Sequence, residues 1–176
     1  MKISLFPQRI ENIKLNIPKE ILINEFIKEI DFDGSGIVFD TTKDKKLLAG
    51  FYEGDLFILR LKTSYVNSFK PFVTLNFYGH DGYSEIKLKY EIEFLAKIIC
   101  WVFISFLGIM QILIIKHLGL SMTSYDVLDV FPSILLLVLF LFSRLGFYMS
   151  ASQTAEVIKK SLLRIRNKFI REQRFS

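Results

Sequence analysis

The sequence predicts an α+β membrane protein, and three features of its 176 residues carry that prediction. Polar and apolar residues alternate through much of the first half, which is typical of half-buried strands. Residues 94–150 contain only five charged side chains, and 51% of all residues are hydrophobic. The last 26 residues carry seven Lys and Arg against two Glu. We therefore expect a cytosolic β-rich domain over 1–93, a transmembrane hairpin over 94–150 and a basic amphipathic cytosolic helix over 151–176.

The first domain is predicted to be an antiparallel β-meander with one helix. The helix is expected to open after Pro18, and its apolar face includes Leu22 and Phe26. One face of the sheet is apolar, and it is expected to pack against this helix, the C-terminal helix or the bilayer surface. Strand character occurs in five segments, which are Ile13–Ile17, Gly36–Asp40, Leu56–Lys62, Phe72–Tyr78 and Tyr83–Ile92.

Two apolar runs predict the membrane hairpin. Ile98–Ile115 contains 18 uncharged residues, which as a helix measure about 27 Å, close to the hydrocarbon thickness of a bilayer. Val130–Ser143 is also uncharged, and apolar residues resume after Arg144. We expect the two spans to cover about 96–116 and 130–149, with the lipid bilayer as their main partner.

A few polar or small residues interrupt the predicted spans. Arg144 lies near the end of the second span, where its side chain can extend to the lipid headgroups; the alternative is a polar helix interface. The hairpin is expected to pack within one chain or to form a homo-oligomer. The candidate packing residues are Ser105, Gln111, Ser143, Arg144 and Gly146.

The C-terminal helix is predicted to be amphipathic, with an apolar stripe that includes Ile158 and Leu162. This stripe could lie on the anionic inner leaflet or pack on the β-rich domain. Nucleic-acid binding is not expected, because no aromatic residues accompany the bases. The basic residues of interest are Lys159, Lys160, Arg164, Arg166, Lys168 and Arg171.

Loop charges predict the orientation of the protein. The connection between the spans has one Lys and two Asp, whereas the segment after the second span has seven bases. The positive-inside rule then places both termini in the cytoplasm, and we expect the bacterial inner membrane. The N-terminal residues lack the apolar core of a signal peptide.

No catalytic, cofactor-binding or metal-binding set of residues is evident. A single Cys and two His exclude a multi-cysteine zinc site. Asp31–Ile37 matches the first half of a calcium-binding loop, but Phe39 and Thr42 occupy later ligand positions. We expect a turn there, no cofactor and no enzymatic activity.

The segment Tyr65–Pro71, with its Asn-Ser-Phe-Lys-Pro sequence, resembles a group of small, uncharacterised bacterial proteins. These proteins share a β-meander, two membrane helices and a short basic helix, and the similarity covers about 34–170. The architecture is also similar to two-span effectors of anti-phage defence, either retron-associated or of cyclic-oligonucleotide signalling. In this chain the sheet precedes the helices. The β-barrel effectors of that signalling have a different order.

These features favour two functions. The first is a non-enzymatic inner-membrane effector of abortive infection, which senses a cytosolic partner protein or small ligand of a neighbouring gene through its β-rich domain and perturbs the membrane. The alternative is a membrane-anchored binding, scaffold or toxin-immunity protein.

Overall fold

The computed structural model describes residues 6–31, 47–62, 70–80, 82–118 and 127–175. The predicted strand Gly36–Asp40, the Asn-Ser-Phe part of the turn before Lys70 and the calcium-like loop after Asp31 therefore lie outside the described residues. The elements are β1 (Gln8–Leu15), α1 (Lys19–Lys28), β2 (Ile30–Asp31), β3 (Leu48–Glu53), β4 (Leu56–Leu61), β5 (Pro71–His80), β6 (Tyr83–Ile92), α2 (Phe94–Leu118) and α3 (Val127–Phe175).

The strands form one mixed six-stranded sheet in the order β1-β6-β5-β4-β3-β2. The four strands β3 to β6 form an antiparallel meander, in which β4, β5 and β6 correspond to predicted strands and β3 does not, and β1 adds to its far side. The prediction of a wholly antiparallel sheet is wrong, because β2 pairs parallel to β3. Strand β2 has only two residues, too few for a detectable alternation.

Two glycines permit the tight turns of the meander. Gly82, in the connection of the ten-residue strands β5 and β6, has a φ of +80°, and Gly54 between β3 and β4 has a φ of +58°. Residues with a side chain rarely adopt these left-handed conformations. The predicted strand Tyr83–Ile92 is confirmed with the same bounds.

One face of the sheet is covered by helices and holds the core. Leu22 and Phe26 of α1 are buried there, as predicted. The Phe26, Phe57 and Phe77 rings contact one another with centroids 5.1–5.8 Å apart, which joins α1 to β4 and β5.

Helix α3 is a single helix of 49 residues, about 74 Å long. The predicted second span and the predicted C-terminal helix therefore join without a break, and the domain boundary at 150/151 stays a prediction. Gly146 lies at the point where the composition changes, but a single Gly inside a helix is tolerated, and no further Gly or Pro follows up to Phe175. We call residues 127–146 the apolar half and residues 147–175 the basic half of α3.

Helix α2 follows β6 after one residue, Glu93, and packs against α3. Both helices are long and apolar enough to cross a membrane: Ala96–Lys116 has a mean hydropathy of 2.7, and the most apolar 18-residue window of α3 reaches 2.0. Only 6% of the α2 window and 17% of the α3 window are buried. The structure therefore presents an α+β domain from which two apolar helices extend.

Candidate functional site

The basic half of α3 packs on the same sheet face as α1. Its apolar stripe is part of the core of the sheet. Of the two positions expected for the stripe, on the inner leaflet or on the β-rich domain, the structure therefore shows the second. We call this contact the coupling interface, because it connects the sheet to the apolar helices. Its buried α3 residues are Phe147, Ala151, Ala155, Ile158, Leu162 and Ile165.

Charges fix the position of α3 beside α1. The Arg164 guanidinium lies 3.5 Å from the Glu29 carboxylate, and the Lys168 ammonium lies 2.7 Å from Glu25. The two bases are four residues apart, as are the two acids, so each pair occupies one face of its helix. The reversed order of the partners makes the two helices antiparallel.

A second set of polar contacts joins α3 to the edge strand β1. Lys159 Nζ lies 2.8 Å from Glu11 Oε2, and Arg9 donates a hydrogen bond of 3.0 Å to Ser152 Oγ. Arg9 also forms an ion pair with Glu11. The register places Arg9 and Glu11 opposite Tyr90 and Leu88, so both charges lie on the helix-covered face.

These contacts change the acidity of the carboxylates. Burial opposes ionisation of Glu11, but the hydrogen bond and charge of Lys159, together with Arg9, outweigh burial and hold the pKa of Glu11 below its ordinary value. The hydrogen bond from Lys168, followed by that from Lys28, lowers the pKa of Glu25. Both carboxylates therefore remain charged in mildly acidic solution.

Tyr90 is a polar residue enclosed beneath the coupling interface. Its side chain is fully buried, and its hydroxyl has no hydrogen-bond partner among the described residues. Burial, reinforced by the charge of Glu11, raises the pKa of the Tyr90 hydroxyl. The ring also stacks near the Arg9 guanidinium, 5.8 Å from its centroid.

The remaining bases of the C-terminal segment stay on the solvent side. Lys160 pairs with Glu156 at 2.7 Å along the helix, and Arg166 donates to Asn167 Oδ1 at 3.5 Å. Arg171 is exposed. Half of the six predicted basic residues thus bind the sheet domain, and half face solvent.

The polar residues predicted in the apolar helices do not form one cluster. Gln111 lies on the side of α2 that faces α3, with Oε1 enclosed, whereas Ser105 is exposed on another side. Ser143 Oγ donates to Phe140 O at 2.9 Å, and the Arg144 guanidinium lies 4.9 Å from the Phe140 ring.

Gln111 and Arg144 also lie at different levels along the two helices. Gln111 lies about 10 Å from the end of α2, and Arg144 lies about 26 Å from the start of α3. Gly146 is half-buried near the junction of the two halves of α3. The helices therefore offer separate polar positions at different levels and no common polar site.

Two further features concern metal ions and surface depressions. The described residues contain no group of three or more His, Cys, Asp or Glu side chains that could hold a metal ion. A shallow depression of about 630 Å³ lies at the end of the sheet farthest from α2, where Asn76, Glu85 and Lys87 line it beside the ion pair of Lys19 with Asp55.

Comparison of the chain with protein-family models, with curated proteins and with solved structures found no match.

Sequence reasoning missed the acidic partners of the basic segment. Glu25 and Glu29 have the same spacing as Arg164 and Lys168, and this complementary spacing was a signal for a helix pair. The charged residues on the inward face of β1 were a second signal, because an apolar partner does not require them.

Proposed function

We propose that the chain is an inner-membrane protein in which α2 and the apolar half of α3 cross the bilayer as an antiparallel pair. The observation that carries this proposal is the exposure of both apolar windows, 94% and 83% of which are not buried. The core helix of a soluble protein would be mostly buried. A hydrocarbon environment accounts for such a continuous apolar surface.

The ends of the helices support a definite placement. Lys97 and Lys116 bound the apolar part of α2, and Trp101 lies near the end next to the sheet, where its ring contacts Phe6 at a centroid distance of 6.3 Å. Aromatic residues of this kind favour the membrane–water interface. With the basic half of α3 on the same side, the positive-inside rule favours a cytoplasmic sheet domain and cytoplasmic termini.

We further propose that this domain controls the membrane helices as a non-enzymatic effector. Two direct connections support this mechanism: β6 leads into α2 through Glu93 alone, and α3 continues from the coupling interface into the apolar half. A partner or ligand that moves the sheet would therefore displace both helices. The resemblance to anti-phage effectors favours abortive infection as the context.

The membrane placement is tested by extraction and by quenching. The full chain should stay in the membrane pellet after alkaline carbonate washing. Trp101 is the single Trp of the chain, so its fluorescence in vesicles should be quenched more by lipids brominated near the headgroup than by lipids brominated at the chain end. Release of the protein by carbonate would contradict the placement.

The effector activity is tested by expressing the chain with and without its neighbouring genes while growth and membrane potential are followed. We expect depolarisation that is reduced by Gln111→Leu or Arg144→Gln, which alter the helix contact. Ser105→Ala is the matched control on the exposed side of α2. Unchanged potential and growth under every combination, with full sensitivity to phage, would favour the scaffold or immunity function instead.

A further inference from the structure

We propose that the outer edge of β1 is a docking site for an extended segment of a cytosolic partner protein, which adds to the sheet as a further strand. Strand β1 ends the sheet on one side with eight residues, whereas β2 ends it on the other side with two. The inference deepens the proposed function, because it names what the sheet domain binds. It rests on the membrane placement only where that placement excludes a second copy of this chain.

Hydrogen bonds across the sheet show which backbone groups of β1 face outward. The Phe77 N–H donates to Asp55 O at 3.2 Å, so the backbone groups of Phe77 face the β4 side of β5. In antiparallel strands the backbone groups of successive residues point to alternate sides. Through the registers of β5 with β6 and of β6 with β1, this alternation directs the backbone groups of Arg9, Glu11 and Ile13 towards β6. The residues whose backbone groups point away from the sheet are therefore Gln8, Ile10, Asn12 and Lys14.

These four outward residues form a regular and accessible row. Among the described residues, β1 pairs with β6 alone, and its register from Gln8 to Leu15 contains no bulge. The side chains of the four outward residues are exposed, and that of Ile10 is 54% exposed. Edge strands that stay unpaired are usually protected by a bulge, a Pro or charges. Strand β1 contains no Pro, and Lys14 is the one charged residue of the four.

The backbone row favours an extended segment as the occupant. Outward N–H and C=O groups recur about every 7 Å along the edge, which is the spacing of alternate residues in another strand. The exposed Ile10 side chain favours an apolar residue directly opposite it. A segment without Pro at the pairing positions and with an apolar residue near its centre meets both requirements.

A second copy of this chain does not suit the edge. Gln8 at the start of β1 pairs with Glu91 at the end of β6, which leads into α2, so β1 runs away from the apolar helices. A closed dimer would pair two β1 strands antiparallel. The apolar helices of the two copies would then extend in opposite directions, and one bilayer could not hold both. In the proposed membrane placement the added strand therefore comes from a different protein.

The edge lies beside the contacts that connect the sheet to α3. Arg9 donates a hydrogen bond to Ser152 Oγ, and Glu11 forms an ion pair with Lys159. Both β1 residues direct their backbone groups to β6, so an added strand leaves those backbone bonds in place. Alternate side chains of the added strand would lie next to Arg9 and Glu11, at the border of the coupling interface.

The test uses a fluorescently labelled peptide, Glu-Val-Thr-Thr-Ile-Thr-Thr, and the full chain in detergent, with binding followed by fluorescence anisotropy. In antiparallel pairing its third residue lies opposite Asn12 and its fifth opposite Ile10. Asn12→Pro removes an outward N–H without removing a bond to β6. The matched control is Asn12→Ala, which keeps that N–H. Circular dichroism and thermal unfolding check that both variants keep the fold.

A second pair of probes leaves the protein unchanged. Methylation of the amide nitrogen of the third peptide residue removes an N–H that faces β1, whereas methylation of the fourth removes one that faces away. We expect wild type and Asn12→Ala to bind the unmodified peptide equally, and Asn12→Pro to bind it about 10-fold more weakly or worse. The peptide methylated at its third residue should lose affinity for the wild type to a similar degree, and the peptide methylated at its fourth should not.

Two results would overturn the docking site and leave the membrane placement as it is. One is the absence of peptide binding by the wild type in detergent. The other is an equal loss with Asn12→Ala and Asn12→Pro, or with the two methylated peptides. Wild-type dimers that Asn12→Pro prevents from forming would show that a second copy occupies the edge, and they would contradict the membrane placement together with this inference.

Discussion

The two halves of α3 differ in what surrounds them, although each exposes a leucine to a similar degree. Leu139 in the apolar half is 42% exposed, and Leu163 in the basic half is 43% exposed. The apolar half meets little protein apart from α2, whereas the basic half is held by a hydrophobic stripe and by ion pairs to β1 and α1. One uninterrupted helix therefore has two different surroundings.

This difference teaches that a change of composition along a helix can mark a change of environment without marking an end of structure. Helix geometry depends on the absence of breaking residues, and burial depends on neighbours. The difference in surroundings between the two halves can be tested by placing the same substitution in each half.

The largest expected effect is at the boundary between the halves. Phe147 is 0% exposed and Phe142 is 69% exposed. Phe147→Ala should lower the free energy of unfolding by about 3–5 kcal/mol, because it leaves a cavity in the core, whereas Phe142→Ala should cost less than about 1 kcal/mol. Urea unfolding of the full chain in detergent, followed by circular dichroism, measures both. Equal losses would mean that the two halves share one environment.

An introduced charge should affect the apolar half more than the basic half. Leu139→Arg should disfavour insertion of α3 by about 2.5–3.5 kcal/mol, since a charged side chain near a span centre is costly in lipid. Leu163→Arg has a similar starting exposure and should change insertion by less than about 0.5 kcal/mol. A glycosylation reporter fused beyond the span measures the inserted fraction. Similar insertion of both variants would contradict the membrane placement of the apolar half.

The smallest expected effect concerns the ion pairs of the basic half. The pKa of Glu11 lies below the ordinary value of a Glu carboxyl, so the stability that this carboxylate contributes is present above that ordinary value and is lost as the pH falls through the folded pKa. Glu11→Gln should therefore reduce stability at pH 7 and flatten its decline in acid. The pair with Lys159 should contribute about 0.2–1 kcal/mol in a double-mutant cycle.

Lys160→Gln is the control for that cycle, because Lys160 pairs within its own helix. Coupling of Glu11 to Lys160 as large as that to Lys159 would show a general charge effect and no specific contact.

Much of the sheet could be predicted from the sequence because its strands alternate strongly. Tyr83–Ile92 has charged residues at every second position and an apolar core face, so its period is unmistakable. Strand β3 was missed because Ala49 and Gly50 weaken its pattern. Gly50 is required there, since a Cβ would lie 2.0 Å from Ile58 O.

The arrangement of α3 could not be predicted from local pattern alone. Its stripe has the same spacing whether it lies on lipid or on a sheet, so periodicity leaves the partner undetermined. Only the match between Glu25 and Glu29 on one helix and Arg164 and Lys168 on the other distinguishes the two, and that match involves residues about 140 positions apart.

The continuity of α3 gives the molecule a lever with two arms. From Phe147, the arm on the sheet extends to Ile165 over about 27 Å, and the arm in the apolar half extends back to Val127 over about 30 Å. Because the arms are nearly equal, a sideways shift of about 3 Å at Ile165 would swing the far end of the helix by a similar distance in the opposite direction. In the proposed membrane placement, a motion no larger than a side-chain rearrangement on the sheet would thus reach the opposite leaflet without loss of amplitude.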